Sequence, residues 1–361
     1  MYEMPTELDL EILPFSVYDL IIDARTETEY EDDHIPGAVN LPALSQEEYA
    51  EVGEIVRSQS SKAQAMGVSA AMKRVGEHIA KMGGKPAAKS ALVYCLRGGK
   101  RSLVWASALR AMDIEAKILP GGWKSYRKWT VAGLDKLSRY FEYRLVAGES
   151  GSGQEQLLQA IEAEGGQILD LGELGRRCGR PLTSLNEVDQ PRQRLFESML
   201  LEEMRDLSVE QPVWVLNWGE RVGGLKMPMT LQECLRRSIV IELAAPINAR
   251  VEMLMRVHAG SLARLPEVVE RIRGSKSVSE SVVDRFPEWD KLCEEKRWHD
   301  LIEELLRDFF DPLYQEVKGR MLRIEEAQVV AVGSMSDTWM RPTARMLIQD
   351  NHKLAMGLRK L

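Results

Sequence analysis

YCLRGGKRS, residues Tyr94–Ser102, sets one cysteine at the head of a loop that holds two glycines and three cations. The run that leads into it, SALVYC (Ser90–Cys95), is short, apolar and bounded by polar residues, and reads as a strand. The run that follows, SLVWASALRAM (Ser102–Met112), carries apolar residues at three-to-four spacing and reads as a helix. A helix that starts after a glycine loop points its unpaired N–H groups into that loop, and the loop's own amides converge on the same spot. The product is an anion cradle. Cys95 sits in its positive field together with Arg97, Lys100 and Arg101, and all of these favour the thiolate over the thiol. Gly98 and Gly99 let the backbone curl closely because they carry no Cβ. A lone strand-end cysteine is ordinarily a packing residue, but packing does not account for three cations and two glycines within six residues of it.

Working outward, YDLIIDAR (Tyr18–Arg25) and HIPGAVNLP (His34–Pro42) read as strands with turn signals, and AAMKRVGEHIAKM (Ala70–Met82) as a helix. The alternation predicts a parallel sheet with helices on both faces, closing near KILPGGWKSYRKW (Lys117–Trp129). EYRLVAGESGSGQEQLLQAI (Glu142–Ile161) restarts the pattern as strand, glycine-rich turn and helix. GGQILDL, PVWVLNW and SIVIELAAP read as further strands of that second sheet. From about Asn248 amphipathic patterns such as WHDLIEELLRDFFDPLYQEVKGRML dominate until AQVVAVG. The predicted fold class is therefore α/β in two parallel-sheet domains, residues 1–134 and 135–247, followed by a mostly helical subdomain, 248–361.

Composition narrows the function classes. With 361 residues, 44% hydrophobic and 29% charged, the chain is long enough for two cores. No stretch approaches the roughly 18–20 apolar residues that span a bilayer, and the acidic start is unlike a signal peptide, so a cytoplasmic location is expected. Cys95, Cys178, Cys234 and Cys293 form no CxxC pair, which argues against structural zinc and against a disulfide framework; the last three read as structural. The five histidines lack metal-ligand spacing, so no metal is expected. A net charge of -7 argues against indiscriminate nucleic-acid binding but leaves room for local basic clusters such as Arg176, Arg177 and Arg180.

GESGSGQE (Gly148–Glu155) aligns with the phosphate-loop pattern G-x-x-x-x-G-K-S/T at Gly148 and Gly153. It puts Gln154 where the lysine belongs and Glu155 where the magnesium-binding hydroxyl belongs. Nucleotide hydrolysis is not expected from such a loop. Its backbone nest, Gly148 to Gly153 with Ser150, Gly151 and Ser152, depends on conformation more than on the lysine and is a candidate phosphate or diphosphate site, with a plain strand–helix turn as the alternative.

The cysteine loop resembles the active loop of the rhodanese family, in which a strand-end cysteine carries a sulfane sulfur in a cradle of amides. IIDARTETEYEDDHIPGAVNLP looks like that family's amino-terminal signature and GGWKSY like its later turn. The Cys-x5-Arg frame of Cys95 and Arg101 also occurs in cysteine-based phosphatases and does not choose between them. Over nearly the whole chain, a rhodanese-like domain followed by a P-loop-like domain and a helical tail resembles the tRNA 2-selenouridine synthase family. The spacer LSQEEYAEVGEIVRSQSSKAQAMG and the runs ILDLGELGRRCGR, DQPRQRLFESML, PVWVLNWGERVGGLKMP and FFDPLYQ follow in that family's order. The resemblance implies exchange of the sulfur of wobble 2-thiouridine for selenium from selenophosphate, and S-geranylation of that base from geranyl diphosphate. It further implies that Cys95 takes selenium as a perselenide or otherwise assists its transfer, and that Arg97, Gly98, Gly99, Lys100 and Arg101 hold the anion. Gly148–Gly153 would contact the diphosphate or the tRNA backbone, and Arg176, Arg177 and Arg180 the tRNA phosphates. The implied partners are a tRNA carrying 2-thiouridine and an enzyme that supplies selenophosphate. Departures fall in the second domain: the missing lysine and hydroxyl, RRCGR, and LNW where acids are usual. They keep two alternatives open, a catalytically reduced tRNA-binding relative and a small-molecule sulfurtransferase or phosphatase using the Cys95 loop.

Overall fold

The computed structural model describes residues 13–51, 60–82, 87–176, 189–275, 278–319 and 324–358. The chain divides into two compact units, 1–136 with 192–202, and 137–191 with 203–361. The helices that follow residue 247 thus share a unit with the second sheet.

The first unit is built on four parallel strands, β1 (Leu20–Asp23), β2 (Val39–Asn40), β3 (Ser90–Tyr94) and β4 (Glu115–Ile118), in the order β2-β1-β3-β4. Its helices are α1 (Glu27–Asp32), α2 (Ser60–Lys81), α3 (Lys100–Arg110) and α4 (Gly122–Leu137). β3 pairs on both sides, with Ile22 beside Val93 and Val93 beside Ile118. Its last four residues are buried, as expected of a central parallel strand covered on both faces. Ile22, Val93 and Cys95 from the sheet pack with Ala71 and Val75 of α2 and Trp105 and Leu109 of α3. A capping box starts α1: Glu29 N reaches Thr26 Oγ1 and the Glu29 carboxylate accepts from Thr26 N.

The second unit has five parallel strands, β5 (Tyr143–Gly148), β6 (Gln167–Ile168), β7 (Val213–Leu216), β10 (Ile239–Ala244) and β11 (Gln328–Ala331), in the order β11-β10-β5-β7-β6. A separate hairpin is made by β8 (Arg221–Val222) and β9 (Leu225–Lys226). β5 is buried along its whole length. Strand order reverses at β5, the topological switch point where open parallel sheets bind ligands beyond their carboxyl ends. The unit also holds α5 (Gln154–Ala163), α6 (Leu171–Leu174), α8 (Met229–Arg236) and α9 (Ile247–Val257), while α7 (Gln193–Asp206) crosses the division at residue 202. The helices α10 (Leu265–Arg273), α11 (Glu280–Val283), α12 (Phe286–Glu294), α13 (Trp298–Leu305), α14 (Asp311–Lys318) and α15 (Asp337–Leu358) follow, with a π turn at Leu306–Phe310 between α13 and α14. α9 to α13 share a core around Val251, Val268, Trp289, Leu301 and Leu306. Met340, Ala344 and Leu347 of α15 instead pack with Leu157 and Ile161 of α5 in the core of the sheet.

Candidate functional site

Cys95 follows β3 directly and is 4% exposed. Burial pushes its thiol up, but the Ser102 hydroxyl, the Arg101 charge and the Arg97 and Ser102 amides outweigh burial and leave it below the ordinary range. Much of the loop's shape is imposed from α4. Trp123 N donates to Cys95 O at 2.9 Å and Lys124 N to Leu96 O at 3.1 Å, so the first turn of α4 satisfies the carbonyls and the loop's amides are left to face inward. Gly122 makes this approach possible. At φ +61, a Cβ there would lie 2.2 Å from Cys95 O and 2.4 Å from Gly98 N.

The three cations separate. Arg97 and Lys100 are exposed beside the loop. Arg101 pairs with Glu29 at 3.1 Å and lies 4.7 Å over the Tyr49 ring. It is held by protein partners while still biasing the sulfur. Gly98, at φ +67, and the exposed Gly99 form the bend before α3, and Gly99 is its N-cap.

Sequence reasoning missed a second layer behind this loop. Asp23 and Arg25 form a buried ion pair with contacts of 2.6–3.1 Å, and the Arg25 guanidinium lies 4.9 Å over Trp123, the residue that caps Cys95 O. Asp33 accepts from Trp123 Nε1 at 2.8 Å and from Ser198 Oγ at 2.7 Å. Burial raises the Asp33 carboxyl despite those donors. Arg127 and Arg194 tie to Glu197 and Asp32, so α7, from the DQPRQRLFESML run, is fastened beside the turn that shapes the cysteine loop. The Asp-x-Arg and GGW motifs were visible, but no local signal pairs Asp33 with a serine 165 residues away. His34 stacks on Tyr30 at 3.8 Å and bonds its carbonyl, an architectural role.

In the second unit, Gly148 to Gly153 join β5 to α5. Gly148 at φ +153 admits no side chain: a Cβ would lie 2.5 Å from Ser152 Oγ and 2.7 Å from Leu243 O. Gln154 is buried and folds back to donate from Nε2 to Gly148 O. Arg250 of α9 anchors the loop, bonding Asp311 twice at 2.7 Å, Glu149 at 3.2 Å and Ser150 O at 3.3 Å. Beside the loop lies a cavity of about 280 Å³, walled by Met253, Leu254, Val257, Phe310 and Leu313, with Glu155 and His258 among its polar groups. In the sequence the FFDPLYQ run counts only toward the family resemblance; in the structure its Phe310, Leu313 and Tyr314 line this cavity and its Asp311 holds Arg250.

Of the basic candidates, Arg176 is exposed at φ +53, ending α6, and its guanidinium donates to Asp189 O at 2.6 Å. Arg177, Cys178 and Arg180 lie outside the described residues. Trp214 is a core residue, whereas Trp218 lines the cavity. Burial pushes the Cys293 thiol up to about 11, which suits a structural thiol. Among the described residues no group of three His, Cys, Asp or Glu is placed to hold a metal, and no helix is long and apolar enough to cross a membrane.

A strand-end cysteine in an amide cradle, followed by an α/β unit with a glycine loop at its switch point, defines a rhodanese-type domain joined to a P-loop-type domain. Residues 10–128 match the rhodanese-like domain family and residues 141–281 match the tRNA 2-selenouridine synthase AAA domain. Together the two matches make the chain similar, in both of its domains, to proteins named tRNA 2-selenouridine synthase. A protein of Nitrosomonas europaea with that name is 30% identical over 241 residues, 64% of this chain and 61% of its own. One of Bdellovibrio bacteriovorus is 31% identical over 244 residues, 64% of this chain and 62% of its own. The synthase of Psychromonas ingrahamii is 24% identical over 326 residues, 82% of this chain and 87% of its own. The chain thus spans about three fifths of the length of the first two relatives.

Proposed function

We propose that the chain is a transferase that replaces the sulfur of 2-thiouridine at the tRNA wobble position by selenium from selenophosphate. The observation that carries this reading is Cys95, a thiol held below its ordinary pKa at the mouth of an amide cradle with Arg97 and Lys100 beside it. The names of the relatives support the substrate.

Selenium has the same oxidation state in selenophosphate and in 2-selenouridine, so the exchange breaks C2–S, forms C2–Se and needs no oxidant. A perselenide on Cys95 would change that state. Attack of the thiolate on phosphorus does not: Sγ–P forms, P–Se breaks, the selenium leaves with the bonding electrons, and water later releases phosphate from the sulfur. The loop amides, Arg97 and Lys100 stabilise the phosphoryl oxygens. Arg101, held by Glu29, serves the sulfur rather than the phosphate. Nucleotide hydrolysis has no part, because Gln154 and Glu155 replace the lysine and hydroxyl that it uses. The apolar cavity of the second unit serves the geranyl group, so that exchange runs on S-geranyl-2-thiouridine, from which geranylthiol is a better leaving group than sulfide. Arg176 contributes to tRNA phosphate binding, and selenophosphate comes from a separate cytoplasmic enzyme.

The test is to incubate purified protein with tRNA bearing 2-thiouridine or its S-geranyl derivative and selenophosphate, and to analyse nucleosides and protein by mass spectrometry. Selenouridine formed by the unaltered chain but not by Cys95→Ser, with a phosphate adduct on Cys95, is expected. Equal selenouridine from both proteins would remove Cys95 from the chemistry.

A further inference from the structure

Three polar residues of α7, Arg194, Glu197 and Ser198, stand at i, i+3 and i+4 and so share one face of that helix. All three belong to the stretch 192–202 that is part of the first unit, and all three reach the same small region of it. Arg194 pairs with Asp32 at 2.7 Å, Glu197 with Arg127, and the Ser198 hydroxyl donates to Asp33 at 2.7 Å. Arg127 in turn donates to Arg194 O at 3.2 Å. A helix docked by packing alone needs only an apolar stripe, and α7 has one in Phe196, Leu200 and Leu201, each buried. The polar face requires a different reason.

Its contacts converge on Trp123. The Arg25 and Arg194 guanidinium groups lie 4.9 Å and 5.6 Å from the centre of the indole ring. The indole Nε1 donates to Asp33 at 2.8 Å, and the backbone N of the same residue donates to Cys95 O at 2.9 Å. One residue thus joins a buried carboxylate to the carbonyl of the reactive cysteine. Asp33 and Ser198 are fully buried, and a buried carboxylate that accepts from two fixed donors confines both of them. Arg25 and Arg127 lend this carboxylate a positive field, and Tyr126 of α4 lies near its charge. Glu29 of α1, four residues earlier, holds Arg101, so α1 and the residue that follows it brace the cysteine loop at two points.

We propose that Asp33 is a positioning residue for Cys95, acting through Trp123, and that Ser198 and Arg194 of α7 fix the carboxylate and the indole in the arrangement this requires. The inference rests on the reading of Cys95 as the nucleophile and goes beyond it, because it makes the cysteine loop depend on a helix that lies far along the chain. With Cys95 O engaged from outside, the loop turns its amides toward the sulfur and toward the anion that the sulfur meets. When the indole loses its acceptor, Trp123 N drifts from Cys95 O, the cradle widens, and the thiolate loses donors.

The test uses the full chain and reads Cys95 directly, by the pH dependence of its alkylation with iodoacetamide, quantified at that cysteine by peptide mass spectrometry, and separately by kcat and KM for selenouridine formation. Trp123→Phe, which keeps an aromatic ring and removes the N–H, and Asp33→Ala are each expected to slow alkylation near neutral pH about tenfold, to move its midpoint upward, and to lower kcat about tenfold with KM held within about twofold. Asp33→Asn, which keeps an acceptor for the indole, is expected to restore most of the rate, and Ser198→Ala to slow it about threefold. Thr130→Ala, which removes a buried hydroxyl bonded to Tyr126 O elsewhere on α4, lowers stability and is expected to leave Cys95 unchanged. Alkylation as fast in folded Trp123→Phe as in the unaltered chain would overturn the inference. Equal slowing by Thr130→Ala would overturn it by making the effect one of stability, and Asp33→Asn as slow as Asp33→Ala by making it one of charge. Absence of selenouridine from the unaltered chain, with the alkylation differences intact, would overturn the reaction assigned to Cys95 and leave its positioning by Asp33 standing.

Discussion

The two glycine loops of this chain use one backbone device and end in opposite chemistry. Both leave the carboxyl end of a buried central strand, both curl through glycines at positive φ, and both run into the first turn of a helix. At Tyr94–Ser102 the side chains add to the field of the amides, and a thiol settles below its usual pKa. At Gly148–Glu155 they oppose it, with a glutamine folded onto the loop and a carboxylate in the helix's first turn. The difference teaches that one glycine-loop backbone can be combined with opposite side-chain charge, because the residues of the next helix turn set the local field.

The largest effect expected is at the first loop. Cys95→Ser should lower selenouridine formation by on the order of a hundredfold or more, while the altered second loop, Gln154→Lys with Glu155→Thr, should leave exchange on pre-geranylated tRNA within a few fold. Comparable losses from both would break the contrast between the loops. The glycines come next, and there the loops should behave alike. Gly122→Ala and Gly148→Ala each drive a Cβ to within 2.2–2.5 Å of a neighbouring heavy atom, at an expected cost of about 3 kcal/mol in urea unfolding.

A smaller change tests the layer behind the cysteine loop. Ser198→Ala removes one donor to buried Asp33 and should cost about 1 kcal/mol. Smaller again is a pH effect. The folded state depresses the Cys95 pKa, so the stability gained from its ionisation is present above the unfolded pKa and fades as pH falls through the folded one. Alkylation by iodoacetamide, followed against pH, should show its midpoint below that of free cysteine, and Ser102→Ala should move it upward. An unmoved midpoint would assign the thiolate to Arg101 and the amides alone. The smallest effect belongs to Arg176, where Arg176→Ala should weaken tRNA binding equally across sequences and reduce the salt slope by about 0.9.

The strands at Leu20–Asp23, Ser90–Tyr94, Tyr143–Gly148 and Val213–Leu216 were legible because each is a short apolar run closed by glycine, proline or polar residues, and period and punctuation are local properties. Cys95 was legible for the same reason, since its cations and glycines are its neighbours in sequence. Arg101 was legible as a charge but not as a partner of Glu29, which lies on another helix. The cavity was not legible at all: Met253, Phe310 and Leu313 each look like ordinary core positions of an amphipathic helix, and only the packing of α9 and α14 against the loop turns them into a wall.

By itself the sequence determined two parallel-sheet units and a cysteine loop with its cations and glycines, because those follow from residue type and short spacing. Tertiary structure alone decided which cations stay exposed, which carboxylates pair, and which apolar side chains gather beside the second loop, because burial and pairing depend on groups that the chain brings together from far apart.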